Sequence, residues 1–168
     1  MSSLFVQAQD TVINQIVDIT FLEKYQKLSP QAVMEFDQPS AHIHVKRMPI
    51  INKNSHGDYY NLNGIFMRVN AGYTAEERHL EAYQKSLRDM SSLGGVLPPN
   101  YSSEIRKIQD REVLIIYLDE GKNVGSYSFF CSDDSKKKFF NGIMEFNLAQ
   151  KEKASKILEE MLQSVRFK

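Results

Sequence analysis

From Ala154 onward, apolar residues return as Ile157, Leu158, Met161, Leu162 and Val165, a single stripe at the period of an α-helix. Asn147 stands ahead of the stripe as a capping residue, with Gln150 three positions on to complete a capping box. Glu152 and Lys156 sit four apart on the polar face in the favourable order, a pair that adds about 0.2–0.5 kcal/mol. The pattern predicts a helix that runs to the chain end and is ordered because its stripe lies on a sheet. A second helix is predicted from Thr74, with Glu77 as its box partner, to a stop before Gly94-Gly95. Its apolar face is Leu80, Tyr83, Leu87 and Met90, and its polar face is Arg78, Glu81, Lys85, Arg88 and Asp89.

The segments between these helices read as strands joined by short turns. Ser103–Ile108, Glu112–Leu118, Val124–Cys131 and Lys138–Phe146 follow one another as an antiparallel meander. Val113 to Leu118 is apolar on both faces and predicts a central strand covered on both sides, whereas Phe140, Met144 and Phe146 alternate with Asn141 and Glu145. Upstream, residues 32–36, 41–46 and 63–69 read as further strands. Residues 12–21 read as a strand leading into a short helix near Leu22–Leu28. Asn, Ser, Gly and Asp cluster over residues 52–58, the loosest loop of the chain. The expected fold is α+β: an antiparallel sheet of about six or seven strands flanked by helices, in one domain spanning residues 1–168.

Composition narrows the functional classes. The chain of 168 residues balances 21 Lys and Arg against 21 Asp and Glu. It therefore lacks the cationic excess with which nucleic-acid binders neutralise phosphates. The longest apolar run, Val113–Leu118, is far shorter than the roughly 20 residues of a membrane-spanning helix. The first nine residues carry no basic n-region of a signal peptide, so a cytoplasmic location is expected, or an exported or lipid-anchored one if a natural leader precedes Met1. A lone cysteine, Cys131, excludes an internal disulfide and a thiolate metal cage.

Candidate chemistry is sparse. His42 and His44 alternate onto one face of a predicted strand, about 7 Å apart at the backbone, where two neutral imidazoles can share a metal ion. His56 and His79 are the candidates to complete such a site. No third ligand is nominated by spacing, and Lys46 shares the face with a charge that opposes a cation. The competing reading is a polar strand side with Ile43 and Val45 turned to the core. Cys131 ends an aromatic strand instead of opening a helix, which predicts an inert thiol, and there is no Gly-x-Ser-x-Gly elbow. Asp133-Asp134 precedes Lys136-Lys137-Lys138 in a turn, where mixed charge solvates a hairpin. Neither glycine-rich phosphate loop occurs, and Asn100-Tyr101-Ser102 matches a glycosylation triplet that has meaning only in a secreted chain. These residues nominate no catalytic, cofactor or metal site.

Aromatic content rises above background, with ten Phe, eight Tyr and no Trp. Phe129-Phe130, Phe139-Phe140 and Tyr59-Tyr60 come as adjacent pairs, which in a strand point one ring to each face. Where no helix covers a face, such rings form an apolar patch that docks a partner.

Tyr127-Ser-Phe-Phe130, a charged turn, Phe139-Phe-Asn-Gly-Ile-Met-Glu-Phe146 and the closing helix over residues 153–167 together resemble the PsbP-like superfamily. That superfamily includes the photosystem II extrinsic subunit PsbP, the bacterial lipoproteins DcrB and LpqN, a eukaryotic Ran-binding protein and cytoplasmic chaperones of type VI secretion effectors. The resemblance covers residues 74–168 and implies an antiparallel sheet between helices. It also implies a binding or assembly module without a shared catalytic constellation or cofactor. The chain departs from the family in showing neither a lipoprotein leader with an acylated cysteine nor the front-segment motifs of an effector chaperone. The expected function is protein binding through a sheet face or helix groove, with no nucleic acid, no membrane span and a homodimer among the possibilities. The rival is a small-ligand or metal-dependent enzyme built on His42 and His44.

Overall fold

Alternating apolar and polar positions pair into antiparallel strands along most of the chain. The computed structural model describes residues 10–13, 15–29, 57–74, 77, 79–92, 97–98, 100–121 and 123–168. In chain order these form strands β1 (Asp10–Ile13), β2 (Val17–Thr20), β3 (Gln26–Lys27), β4 (Asp58–Leu62) and β5 (Ile65–Tyr73), then helix α1 (Leu80–Ser91). The meander β6 (Ser102–Ile108), β7 (Arg111–Gly121), β8 (Val124–Ser132) and β9 (Lys138–Asn147) follows. A 3-10 turn (Leu148–Gln150), helix α2 (Lys151–Ser164) and strand β10 (Arg166–Phe167) close the chain. Described strands pair in two sheets: a seven-stranded one ordered β3-β4-β5-β9-β8-β7-β6 and a small one ordered β1-β2-β10. Every pairing is antiparallel. The molecule is α+β, mostly antiparallel sheet with two described helices.

The large sheet is apolar on both faces, and different elements bury each. On one face Val113, Ile115, Phe129, Cys131, Phe140 and Met144 pack with Ala154, Ile157, Leu158, Met161 and Leu162 of α2 and with Ile13, Val17 and Ile19 of the small sheet. On the other, Leu114 and Phe130 are buried against Leu80, with Tyr83 and Leu87 of α1 beside them. The adjacent pairs Phe129-Phe130 and Phe139-Phe140 divide between the two faces as the strand period requires. Burying each such side chain contributes about 1.5–3 kcal/mol, so these two layers hold the sheet in place.

Polar side chains satisfy the end of α2, whose last carbonyls have no partner within the helix. Arg111 Nη1 donates to the Val165 carbonyl at 2.8 Å and Gln109 Nε2 to that of Gln163 at 2.5 Å. Both come from the β6–β7 turn. On the other side the Thr20 amide donates to Ser164 Oγ at 2.8 Å, tying β2 to the helix.

The structure corrects several expectations. Thr74 does not cap a helix: β5 stays in register to Tyr73, opposite Lys138, and the Thr74 amide donates to the Lys137 carbonyl. The helix begins at Leu80, after His79, which makes no side-chain cap bond, and ends at Ser91, with Ser92 as its C-cap. Asn147 does act as a cap, accepting from the Ala149 amide at 2.9 Å, but it caps the 3-10 turn before α2. Gln150 reaches the Asn63 carbonyl instead of closing a capping box. The final residues are not helical, because β10 pairs with β2. Near Leu22–Leu28 there is no helix; strand β3 lies there and pairs with β4. The strand expected over residues 63–69 starts two residues later. Asn63 and Gly64 form a hairpin turn with φ of 54° and 87°, positive at both positions as a type I′ turn requires.

Candidate functional site

The N-terminal half of α2 and the strand beneath it form a groove of about 730 Å³ lined by Tyr127, Lys151, Glu152, Ser155, Lys156, Glu159 and Glu160. Helical spacing sets its wall, since Lys151, Ser155 and Glu159 recur at four residues, as do Glu152, Lys156 and Glu160. Its floor follows from cross-strand pairing. Tyr117 of β7 stands opposite Tyr127 of β8, with ring centroids 5.3 Å apart, and Tyr127 stacks on Phe146 of β9 at 5.2 Å. Both tyrosines are 9% exposed, so the floor is the edge of Tyr127, backed by Tyr117.

Charge is distributed around the rim. Lys151 Nζ lies 3.9 Å from the Tyr117 ring centroid, a cation–π contact that holds the first turn of α2 over the sheet. Arg106 of β6 meets Glu159 at 2.5 Å and ties the helix to the edge strand. Lys156 and Glu160 approach to 3.8 Å. Exposed pairs of this kind are worth about 0–1 kcal/mol, so the rim can exchange partners at little cost. Aromatic floor and mixed-charge rim together suit an apolar anchor on a partner segment, with polar groups setting its register.

Sequence reasoning identified the stripe of α2 but not this groove, whose floor depends on which strands stand side by side. The signal available was the pair of tyrosines, Tyr117 and Tyr127, at inward positions of consecutive strands.

His42, His44, Lys46 and His56 lie outside the described residues. His79 is exposed immediately before α1. Among the described residues no group of three His, Cys, Asp or Glu side chains is placed to hold a metal ion. Cys131 is fully buried, and burial pushes its thiol up to about 12, with Arg111 opposing only in part. A thiol so placed is not a nucleophile at neutral pH. Asp133 and Asp134 do not act as a pair. Asp133 accepts from the Ser135 hydroxyl at 2.6 Å and from the Lys137 and Lys138 amides at 2.9 and 2.8 Å, while Asp134 is exposed. Partial burial favours protonation of Asp133, yet these hydrogen bonds and the Lys138 charge hold its carboxyl below its ordinary value. Asn100 donates to Asp119 near the end of β7 at 3.3 Å. No described helix is long and apolar enough to cross a membrane.

Comparison with known proteins gives no matching family model and no matching curated protein. Among solved structures, a crystal structure from Bacteroides thetaiotaomicron is similar over 97% of this chain, with a TM-score of 0.61 at 9% identity. The match covers 49% of that protein, so this chain spans about half its length. At such identity the likeness is one of fold alone.

Proposed function

We propose that the chain is a non-catalytic protein-binding domain of the PsbP-like kind, a sheet sandwiched between helices, whose partner lies along α2. The order of elements supports the assignment: α1, a four-stranded meander and a closing α2, with the two helices on opposite faces. The observation that carries the function is the groove, in which Tyr127 forms a floor inside a rim of Lys151, Glu152, Lys156, Glu159 and Glu160. A segment with one apolar anchor and charges of both signs fits that arrangement.

A photo-crosslinking residue introduced at Ser155, in the cells that naturally make the protein, tests the reading. One dominant crosslinked partner is expected. Its yield falls at least about tenfold when a bulky side chain occupies the groove in Lys156→Trp/Lys151→Ala, because the anchor is displaced. No crosslinked species, or a yield indifferent to the filled groove, contradicts it.

A further inference from the structure

Strand β6 is the last strand of the seven-stranded sheet, paired with β7 on one side. No described strand adds to its other side, which leaves a row of main-chain donors and acceptors over seven residues. Its side chains alternate. Glu104 and Arg106 lie on the α2 face of the sheet, and Ser103, Ile105 and Lys107 on the α1 face, where Ile105 packs beside Leu114 and Ser103 Oγ accepts from Gln84 Nε2.

We propose that a second copy of this chain adds to β6, antiparallel and centred on Ile105, so that two seven-stranded sheets become one across a twofold axis. The charge pattern selects both the occupant and the register. A twofold axis perpendicular to the sheet keeps each face continuous, so opposed residues share a face. With the axis at Glu104, that carboxylate meets its own copy, and with the axis at Arg106 two guanidinium groups meet. Like charges directly opposite destabilise a strand pair. With the axis at Ile105, Glu104 faces Arg106 of the second copy twice, and Ile105 meets its own copy on the other face. Axes farther out shorten the overlap and give up hydrogen bonds. The edge is therefore self-complementary in one full-length register.

Arg106 has donor capacity left for this contact. Its Nη2 holds Glu159 at 2.5 Å and its Nε is shielded from solvent, but the side chain as a whole stays 40% exposed, so the outer part of the guanidinium is open to a new acceptor. Its own Glu104 stands 3.6 Å away, too far for a hydrogen bond. A second Glu104 carboxylate, brought in across the axis, supplies a further acceptor beside the guanidinium. Glu104 itself is 62% exposed, and its pair with Arg106 of its own strand is long enough to be exchanged for one across the axis.

Sedimentation equilibrium of the purified protein over a wide concentration range tests the proposal, with circular dichroism melts as the control for folding. The wild-type protein is expected to form a dimer. Glu104→Arg, which sets like charges against each other, raises the dimer dissociation constant about tenfold or more. The reversed pair Glu104→Arg/Arg106→Glu restores complementarity and brings the dimer back. Hydrogen exchange gives a second reading that needs no variant: alternate amides over residues 102–108 slow as the protein concentration rises. A monomer at every concentration overturns the proposal and leaves the edge to a strand of another protein. A dimer indifferent to Glu104→Arg, or a folded reversed pair that stays monomeric, overturns it as well.

Discussion

Gly142 shows how closely this sheet is packed. A Cβ there would run into the Arg68 carbonyl oxygen and, at 2.6 Å, the Phe129 ring, contacts that neither backbone nor a buried ring can relieve cheaply. The missing side chain lets Phe129 lie across β9 and reach Phe140, with ring centroids 5.2 Å apart. Gly142→Ala is therefore expected to destabilise the protein by about 1–3 kcal/mol, the usual cost of overpacking, and urea unfolding measures it. A change within experimental error shows that the β5–β9 pairing is looser than described. Most of the surplus aromatic residues serve the same purpose: Phe21, Tyr25 and Tyr60 form a cluster with centroids 5.0–5.7 Å apart. Few described aromatic residues escape this packing: Tyr73 is exposed, whereas Tyr127 shows the groove only its 9% exposed edge.

At the scale of elements, the β8–β9 turn illustrates how one carboxylate organises a connection. Asp133 accepts three hydrogen bonds, so its folded pKa is depressed below the unfolded value of about 3.9. A depressed carboxylate contributes stability that is present above the unfolded pKa and is lost as pH falls through the folded pKa. Wild type is thus expected to exceed Asp133→Asn in stability by about 1 kcal/mol at neutral pH, with the gap closing as pH falls below about 4. Chemical denaturation at several pH values checks it; a gap independent of pH removes the carboxylate charge from the explanation.

The meander around this turn was legible in sequence, because β6 to β9 are local elements whose apolar alternation and turn residues lie side by side in the chain. The stripe of α2 was equally legible, from Ala154 to Val165. Strand β10 was not, since Arg166 and Phe167 pair with residues 17 and 18, far away in sequence. Thr74 carried a good capping signal that sheet register overrode, as tertiary pairing commonly does to local propensity. The Asn63-Gly64 hairpin was available as the strongest short turn signal, yet the strand read over residues 63–69 starts inside it. The groove was missed although Tyr117 and Tyr127 face each other in the local β7–β8 hairpin, because its wall depends on where α2 lies over those strands.

For the whole molecule, one sheet is buried from two sides by separate groups of residues, and the helix on one side keeps an outer wall of charge over an aromatic floor. The packed stripe of α2 fixes the helix against the sheet, so the proposed partner segment would meet a preformed surface and lose little affinity to ordering it. The edge at β6 lies beyond Arg106, which links the groove to the sheet margin through Glu159. Hydrogen exchange read by mass spectrometry, on the chain alone and bound to the partner captured through residue 155, tests the central claim most directly. Binding along α2 predicts slower exchange across residues 151–160 and the β8 residues around Tyr127, with β4 and β5 unchanged. Protection confined to β4 and β5, or to α1, with the α2 groove unaffected, contradicts it.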